Sequence, residues 1–540
     1  MKSVLIIGGY GGFGARLSRR LYKAGWRVLV AGRRLAQATA FCAELANAEP
    51  VQADRTQDLT PLLTQMHPDL VIDAAGPFQG GDYRLPLACI AADIDYLDLA
   101  DARDFVCDIA QLDAAAKAAN VAVISGASSV PALSGAVLAQ LTPDFTKVTA
   151  IDMAISASNR ATAGPSVSAA ILSYVGRPVR LWRGGRWVQV PGWSDLREET
   201  FAVTGRQTLR RLTALSDVPD QDLLPQRLTD KPATIFRAGP EFRFQVLGIW
   251  ALSWPVRWGW IKSLSGMANW LRYLQAPTNA LGSDRSGMVV EVKGFSGDQA
   301  LMRRWTLIAE QGDGPEIPTL AAVILASMIA DKSLPAGARD AGGALTLEQF
   351  APQFDGLAIY HETTTQPYTP LYQRIMGDAF NTLPAPVQAI HNIIGDGSAL
   401  GDATTVRGTS WLARLTCTIM GFPPSGQTPL HVRFEEHKGV ERWTRTFGSN
   451  DFSSELSQSG AYLSERFGPL KFTFDLSAQD NCLGMHLRNW TAFSLPMPKW
   501  LALKSTAKEW ADGDTFCFSV TIDLPIIGRV VDYNGRLKPA

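Results

Sequence analysis

Residues 4–16 read VLIIGGYGGFGAR, and this stretch decides how the chain begins to fold. The apolar run Val4–Ile7 is typical of a buried strand, and the composition of residues 15–24 favours a helix. Three glycines between them have the spacing G-x-G-x-x-G: Gly9, Gly11 and Gly14. In a strand–turn–helix setting, this spacing predicts a turn that holds the pyrophosphate of a dinucleotide.

Each glycine has a steric role in this prediction. Gly9 would allow a tight turn, Gly11 would let the pyrophosphate approach the backbone, and Gly14 would let the helix pack close to the strand. An alternative register, G-x-x-G-x-x-G, starts at Gly8 and stays open. The predicted cofactor-binding turn also includes the residues between the glycines: Tyr10, Gly12 and Phe13.

The end of the second strand indicates which dinucleotide is bound. An NAD site has an acidic residue there, which accepts hydrogen bonds from the ribose hydroxyls. The sequence WRVLVAGRRL has Arg33 and Arg34 at this point, and residues 15–43 contain no Asp or Glu. Because a guanidinium binds a phosphate in a bidentate manner, we expect NADP(H) as the cofactor.

Strands and helices alternate through residues 1–150. Further strands are predicted in EPVQAD, DLVIDAAG, IDYLDLAD and VAVISGA, with helical composition between them. The alternation predicts an α/β domain with a doubly wound parallel Rossmann sheet, which binds ligands at the carboxyl ends of its strands. At that edge we expect Asp54 near the adenine and Ala75, Gly76 and Pro77 beside the nicotinamide.

This region resembles a known enzyme family. The stretches VIDAAGPFQGGDYRLPLACIAADIDYLDLAD and GASSVPALSG are similar to the NADP-binding domain of the saccharopine dehydrogenase-like oxidoreductases. The resemblance continues more loosely through GMVVEVKG and RRWTLIAEQGDGPEIP. It implies hydride transfer with NADP(H) but no particular substrate, because the family includes amino-acid-forming reductases and lipid-linked enoyl reductases.

Catalytic residues are expected at the same edge of the sheet. His67, the one histidine before residue 361, precedes the fourth strand and so lies at the opposite edge. None of the eleven tyrosines has a lysine four residues later, which excludes a Tyr-x-x-x-Lys mechanism. The remaining candidates are polar residues in or after the last strands of the domain: Tyr96, Asp98, Asp101, Ser128 and Asn159. In the alternative interpretation, Asp98 and the serine only cap the following helices.

The composition narrows the class of protein. A chain of 540 residues is expected to form two to four domains. The 51 basic and 51 acidic residues balance, so no nucleic-acid partner is indicated. The six cysteines lack a C-x-x-C pair and the histidines lack ligand spacing, which predicts a reduced cytoplasmic protein without a metal site. A first strand beginning near residue 3 leaves no room for a signal peptide.

Residues 151–355 are predicted to form an α+β domain for substrate binding and dimerisation. VRLWRGGRWVQV predicts a hairpin, GMVVEVKGF and RRWTLIAEQ predict strands, and IPTLAAVILASMIA predicts a buried helix. Residues 244–273 contain five of the fifteen tryptophans, but the uncharged run Phe244–Val256 is shorter than the roughly 20 residues of a membrane span. An interfacial helix, a lid over an apolar substrate, and core or dimer packing all stay open.

Residues 366–540 are predicted to form a mainly antiparallel β accessory domain after a Thr- and Pro-rich linker, YHETTTQPYTPLY. LKFTFDLS and TFCFSVTIDL alternate with a period of two, and LHVRFEEHKGVERWTRTFG predicts a hairpin with its turn at residues 437–439. TTVRGTSWLARL, ERWTRTF and SLPMPKWL resemble an uncharacterised bacterial domain of the DUF4166 type. The curled sheet would enclose either a solid core or one apolar ligand.

Together these features predict an NADP-dependent oxidoreductase that acts on a small or lipid-like C=O, C=N or C=C substrate. We expect a homodimer, with membrane contact limited to a peripheral one through the tryptophan-rich segment. The alternative is a non-catalytic protein that binds NADP(H) in its first domain and a hydrophobic ligand in its C-terminal domain.

Overall fold

The computed structural model describes residues 2–160, 164–268, 273, 276–498, 500, 504–525 and 527–540. In this part of the chain, three large sheets organise the fold: a parallel sheet, a mixed sheet and a closed antiparallel barrel. The predicted fold class, a Rossmann domain followed by an α+β region and an antiparallel β domain, is confirmed.

The N-terminal part alternates strands and helices as expected. Its elements are β1 (Ser3–Ile7), α1 (Gly12–Lys23), β2 (Arg27–Gly32), α2 (Leu35–Cys42), β3 (Ala48–Gln52), α3 (Thr60–Met66), β4 (Leu70–Asp73), α4 (Arg84–Ala91), β5 (Asp95–Asp98), α5 (Arg103–Cys107), α6 (Asp113–Ala118), β6 (Ala122–Ser125) and α7 (Ser134–Leu141). Val4 and Ile6 of β1 pack into one apolar layer, and Leu5 and Ile7 pack into another. Both faces of the sheet are therefore buried, which explains the continuous apolar run in β1.

A late strand, β15 (Gly337–Asp340), completes this sheet beside β6 and gives the order β15-β6-β5-β4-β1-β2-β3. Residues 337–340, which fall within the predicted middle domain, thus pair with the first sheet. The preceding helix, α11 (Ile317–Ala330), is almost wholly apolar and packs into the same core as α1. Burial of this helix brings the chain back to the first sheet. The domain bounds 1–150, 151–355 and 366–540 remain predictions.

The middle sheet is mixed and has the strand order β10-β11-β12-β7-β13-β14-β16. The elements of this region are β7 (Lys147–Ser156), α8 (Pro165–Tyr174), β8 (Pro178–Arg183), β9 (Arg186–Pro191), β10 (Arg197–Phe201), β11 (Leu209–Leu215), α9 (Asp220–Arg227), β12 (Ala233–Gly239), α10 (Arg243–Arg257), β13 (Ser286–Ser296), β14 (Gln299–Ala309), α12 (Leu347–Phe354) and β16 (Ile359–Pro367). The predicted β8–β9 hairpin, the strands β13 and β14 and the buried helix α11 are confirmed.

The Thr- and Pro-rich stretch is not a linker. Residues 359–367 form the edge strand β16, which pairs antiparallel with β14 from Ile359 to Pro367. Its threonines are β-branched and mostly exposed, as suits an edge strand with one solvated face. The chain therefore leaves the middle sheet only after Pro367.

The C-terminal part is a closed barrel of ten antiparallel strands with a short eleventh strand at one edge. Its elements are α13 (Leu371–Met376), α14 (Ala385–His391), β17 (Asp396–Arg407), α15 (Trp411–Met420), β18 (Gly426–His437), β19 (Val440–Phe447), β20 (Asn450–Ser459), β21 (Tyr462–Phe467), β22 (Leu470–Gln479), β23 (Cys482–Ala492), β24 (Leu495–Pro496), β25 (Lys504–Asp512), β26 (Thr515–Leu524) and β27 (Gly528–Pro539). Pairing of β22 with β23 closes the ring.

The barrel interior is filled with side chains. Phe472 and Phe516 point inward, as the period of two predicts, and are almost fully buried. Tyr372 of α13 and His391 of α14 insert among them, with their ring centroids 3.8 Å apart. Of the two interiors considered from the sequence, the structure shows the packed core.

Candidate functional site

A cavity of about 1330 Å³ lies at the carboxyl edge of the first sheet. Loops of the Rossmann sheet form one wall, and the middle sheet and α10 form the other. Sites for a single small molecule have volumes of roughly 300–1,000 Å³. The cavity therefore has room for a cofactor and a substrate side by side.

The glycine-rich turn forms one end of this cavity. The tight turn is at Gly8, which has φ +77° and follows the last residue of β1. A Cβ on Gly14 would lie 2.0 Å from the carbonyl oxygen of Gly8, so only glycine lets α1 pack this close to the turn. The backbone is thus compatible with the register that begins at Gly8 as well as with the one that begins at Gly9. Gly9 has a packing role, because its Cβ would lie 2.9 Å from the Ile6 carbonyl oxygen.

Gly8 lines the cavity together with the residues of the turn nearest the start of α1: Tyr10, Gly11, Gly12 and Phe13. A Cβ added at Gly11 would approach one protein atom, the Gly8 carbonyl oxygen at 3.0 Å, and would otherwise project into open space. Backbone N–H groups at a helix start attract phosphate. The turn thus fits the pyrophosphate of a dinucleotide.

Arg33 and Arg34 line the cavity directly after β2. The Tyr10 hydroxyl accepts a hydrogen bond from the Arg34 backbone N–H at 3.1 Å, which ties this loop to the glycine-rich turn. In the described part of the chain, neither guanidinium has a carboxylate within salt-bridge distance. Unpaired cations at this position fit the 2′-phosphate of NADP(H).

Asp54 also lines the cavity, but its carboxylate is engaged locally. Its Oδ1 accepts hydrogen bonds from the Thr56 backbone N–H at 3.0 Å and from the Thr56 hydroxyl at 2.9 Å. These bonds, with a smaller contribution from Arg33, lower the pKa of Asp54. Ala75, Gly76 and Pro77 line the neighbouring wall, as predicted for the end of β4.

Arg55 is a cavity residue that the sequence patterns missed. Its Nη1 donates to the Ala75 carbonyl oxygen at 2.8 Å, its Nη2 lies 3.2 Å from the buried Asp73 carboxylate, and its guanidinium stacks over Phe78 at 4.5 Å. Burial raises the pKa of Asp73, against the effect of Arg55. Arg55 therefore fixes the loop after β4. The one sequence feature that could have indicated Arg55 is its position directly after Asp54.

The five candidate catalytic residues divide into two groups. Asp101 and Ser128 line the cavity. Tyr96 and Asp98 are fully buried in the sheet and do not reach it. Asp98 accepts hydrogen bonds from the Ala100 and Gly126 backbone N–H groups and from the Ser125 hydroxyl, and burial raises its pKa to about 6. The geometry thus gives Tyr96 and Asp98 structural roles and corrects their assignment to catalysis.

Asn159 is buried behind the cavity wall. Its Nδ2 donates to the Thr278 hydroxyl at 3.0 Å, and its Oδ1 accepts from Gln245 Nε2 at 3.0 Å. Gln245 and Thr278 both line the cavity. Asn159 therefore positions cavity residues and does not itself reach the cavity, which corrects its assignment as catalytic.

A polar cluster faces the nicotinamide end of the predicted cofactor site. Gln79 Nε2 donates to Asp101 Oδ1 at 3.2 Å, and burial raises the pKa of Asp101. Tyr174 of α8 and Asp217 line the same region, and burial raises the pKa of both. Tyr174 and Asp217 were missed because they come from the middle region of the chain, far from Asp101 in sequence.

Arg103 is buried beside this polar cluster and pairs with carboxylates there. Its Nη1 lies 2.9 Å from Asp217 Oδ1, and its Nη2 lies 2.6 Å from Asp222 Oδ1. The guanidinium is almost fully buried, so the two carboxylates neutralise it. Asp101 is thus the carboxyl group of the cluster without a guanidinium partner within salt-bridge distance in the described residues.

The fold and this cavity define a Rossmann-type dinucleotide-binding protein. Residues 4–125 match the family model of the saccharopine dehydrogenase NADP binding domain, and residues 383–537 match a domain of unknown function, DUF4166. The chain thus carries a saccharopine dehydrogenase-type NADP-binding domain at its N-terminus and a DUF4166 domain at its C-terminus. Both resemblances seen in the sequence are confirmed.

Several solved structures resemble parts of the chain. Saccharopine dehydrogenase (L-Glu forming) from Saccharomyces cerevisiae is 12% identical over 67% of this chain and 100% of its own, with a TM-score of 0.47. A short-chain dehydrogenase/reductase from Burkholderia thailandensis is 24% identical over 18% of this chain and 50% of its own, with a TM-score of 0.17. At such TM-scores these likenesses do not inform the reaction. No curated protein matches the chain.

No helix in the described part of the chain has both the length and the apolar character needed to cross a membrane. No group of three or more His, Cys, Asp and Glu side chains there is arranged to hold a metal ion.

Proposed function

We propose that the protein is an NADP-dependent oxidoreductase that transfers hydride between NADP(H) and an apolar substrate with a C=O, C=N or C=C group. The observation that carries the proposal is one continuous cavity. It extends from the glycine-rich turn and Arg33 to the apolar side chains of Ile249 and Leu252 on α10. When bound, the nicotinamide would supply or accept the hydride.

The residues of this chain would bind and orient both molecules. The backbone N–H groups at the start of α1 hold the pyrophosphate, and Arg33 and Arg34 bind the 2′-phosphate. Apolar side chains on α10 exclude water and favour a hydrocarbon substrate. The Ser128 hydroxyl is available to hydrogen-bond the polar group of the substrate, since it lines the cavity.

Asp101 is the proposed proton donor in the direction of reduction. Burial raises its pKa, which keeps more of the protonated form near neutral pH. Gln79 donates to one carboxyl oxygen and so leaves the other to carry the proton. Because only the protonated form donates, the rate of reduction should fall as pH rises through this raised pKa.

The test is Asp101→Asn in the full-length protein, assayed by NADPH oxidation with a panel of apolar enones, ketones and imines. We expect kcat to fall roughly 10²–10⁴-fold, as for loss of a general acid, with KM nearly unchanged and the pH-dependent decline absent. Asp298→Asn is the matched control, because Asp298 is exposed between β13 and β14 and does not line the cavity. A variant at Asp101 that keeps both kcat and the wild-type pH profile would exclude this role.

The remaining features of the proposal concern location and assembly. All six cysteines have free thiols, which supports a reducing, cytoplasmic location. The homodimer remains a prediction. The alternative function, a non-catalytic protein that binds NADP(H) in its first domain and a hydrophobic ligand in its C-terminal domain, is less well supported, because side chains from α13 and α14 join the apolar cluster inside the barrel.

A further inference from the structure

Helix α10 has two different faces. Gly248, Ile249 and Leu252 face the cavity. Trp250, Trp254 and Trp258 recur every fourth residue and therefore share another face of the helix. Their ring centroids are 5.8 and 5.7 Å apart, and Trp260 continues the series 4.8 Å beyond Trp258. We name these four side chains the tryptophan row. The helix thus separates the cavity from a row of aromatic rings.

The outer end of the tryptophan row is in solvent. Trp258 is 57% exposed and Trp260 is 75% exposed. Leu247, which precedes Trp258 in the sequence, and Ile261, which follows Trp260, are also exposed. Single exposed apolar side chains are common, but a contiguous group of this kind marks an interaction surface.

The charged side chains in the sequence around the tryptophan row are all basic. Residues 242–283 contain Arg243, Arg257, Lys262 and Arg272 and no Asp or Glu. Lys262 is exposed, and the Arg257 guanidinium lies 4.7 Å from the ring centroid of Trp254. Arg243 lies at the start of α10, where it pairs with Glu198 at 3.3 Å. Tryptophan with lysine and arginine is the composition of segments that lie in the headgroup zone of a membrane.

We propose that the tryptophan row docks on the surface of an anionic phospholipid bilayer. The exposed indole rings of Trp258 and Trp260 would enter the headgroup zone, while the exposed Lys262 would meet lipid phosphates. A second copy of the chain is a poorer occupant of the same surface. In a two-fold contact the same patch meets itself, and residues 242–283 contribute cations to it but no acidic side chain to pair with those of the copy.

The cavity opens beside the proposed docking surface. Phe244, in the first turn of α10, lines the cavity and is 57% exposed, so it marks the mouth. A helix that lies along a bilayer would bring this mouth to the lipid. Entry of an apolar substrate from the membrane rests on the proposed function, whereas the docking itself does not.

The experiment is co-sedimentation of the full-length protein with vesicles of phosphatidylcholine alone or mixed with phosphatidylglycerol. We expect sedimentation with the mixed vesicles and little with phosphatidylcholine alone. Trp258→Ala and Trp260→Ala should each weaken the partition by about tenfold, because each removes exposed apolar surface that the lipid would cover. Trp411→Ala is the matched control, since Trp411 on α15 is 72% exposed.

Three outcomes would overturn the proposal. One is absence of wild-type sedimentation with phosphatidylglycerol vesicles, and another is an equal loss in Trp411→Ala. The third is a vesicle-independent dimer that Trp260→Ala dissociates, since a second copy would then occupy the surface. NADPH titration of the same variants should give unchanged affinity. A failure of docking is thereby separated from a failure of the proposed function, which would appear as loss of NADPH binding or turnover.

Discussion

The two faces of the middle sheet have opposite chemistry. Phe236 and Ala238 of β12 line the cofactor cavity, whereas Arg237 between them lines a second cavity of about 640 Å³ between the sheet and the barrel. There the two buried cations have carboxylate partners. Arg237 lies 3.0 Å from Asp152, and Lys293 lies 3.2 Å from Glu436 of the barrel. In the cofactor cavity, Arg33 and Arg34 have no such partner among the described residues.

The paired charges under the barrel stabilise the fold, whereas the unpaired charges in the cofactor cavity are free to bind a ligand. A buried ion is costly unless it is paired, so the cations under the barrel belong to an interface. Further contacts extend that interface: the Gly184 backbone N–H donates to Asp396 at 2.7 Å, and the Gly184 carbonyl oxygen lies 2.9 Å from His431 Nε2. Arg33 and Arg34 are exposed beside the glycine-rich turn, where an unpaired guanidinium costs little and is free to bind a phosphate. Variants of the glycine-rich turn and variants of the ion pairs under the barrel test the two sides of this comparison separately.

Gly11→Val should have the largest effect. The side chain would occupy the space that the pyrophosphate needs, and we expect NADPH affinity to fall by more than about a hundredfold, because contact between phosphate and backbone requires glycine there. Fluorescence titration with NADPH measures the effect, and circular dichroism checks that the variant folds. Gly343→Ala is the control, because a Cβ at that exposed position meets no atom within 4 Å. Wild-type affinity in a folded Gly11→Val protein would place the cofactor elsewhere.

Lys293→Met tests the barrel side. The substitution leaves the buried Glu436 carboxylate without its cation, and breaking a buried pair in this way costs about 3–5 kcal/mol in free energy of unfolding. Urea unfolding measures this loss. NADPH affinity should stay unchanged, because Lys293 does not line the cofactor cavity. The double variant Lys293→Met/Glu436→Gln should recover much of the loss. Wild-type stability of the single variant would show that this pair does not hold the interface.

Acid should weaken the ion pairs that the middle sheet forms beneath the barrel. Burial alone would raise the pKa of Asp152, but Arg197, Arg237 and Lys293 outweigh it and hold that pKa well below its ordinary value. A carboxylate with a depressed pKa adds stability that is complete above its unfolded pKa and is lost as pH falls toward the folded one. Urea midpoints measured from neutral pH down to about pH 3 should therefore decline, and Asp152→Asn should reduce the slope. An identical slope in the variant would assign the acid sensitivity to other groups.

Local sequence patterns predicted the individual helices, strands and turns, whereas pairing between strands distant in sequence determines the sheets that they form. The glycine-rich turn, the β8–β9 hairpin and the inward Phe472 and Phe516 follow from neighbouring residues. The return of β15 to the first sheet does not, because its partner β6 lies more than two hundred residues earlier. Tyr174 and Asp217 were missed in the candidate site for the same reason. Asp98 was assigned to catalysis because sequence shows that it ends a strand but not that backbone N–H groups already bind its carboxylate.

The identity of the cofactor is the central claim, and parallel equilibrium titrations of the full-length protein with NADPH and NADH test it most directly. Charge-assisted hydrogen bonds contribute about 1.5–3 kcal/mol each, so we expect NADPH to bind roughly tenfold or more tightly than NADH. In Arg33→Ala/Arg34→Ala, the NADPH affinity should fall to that of NADH, with the NADH affinity unchanged. Superimposable titration curves for the two cofactors in the wild-type protein would contradict the assignment of Arg33 and Arg34 to the 2′-phosphate.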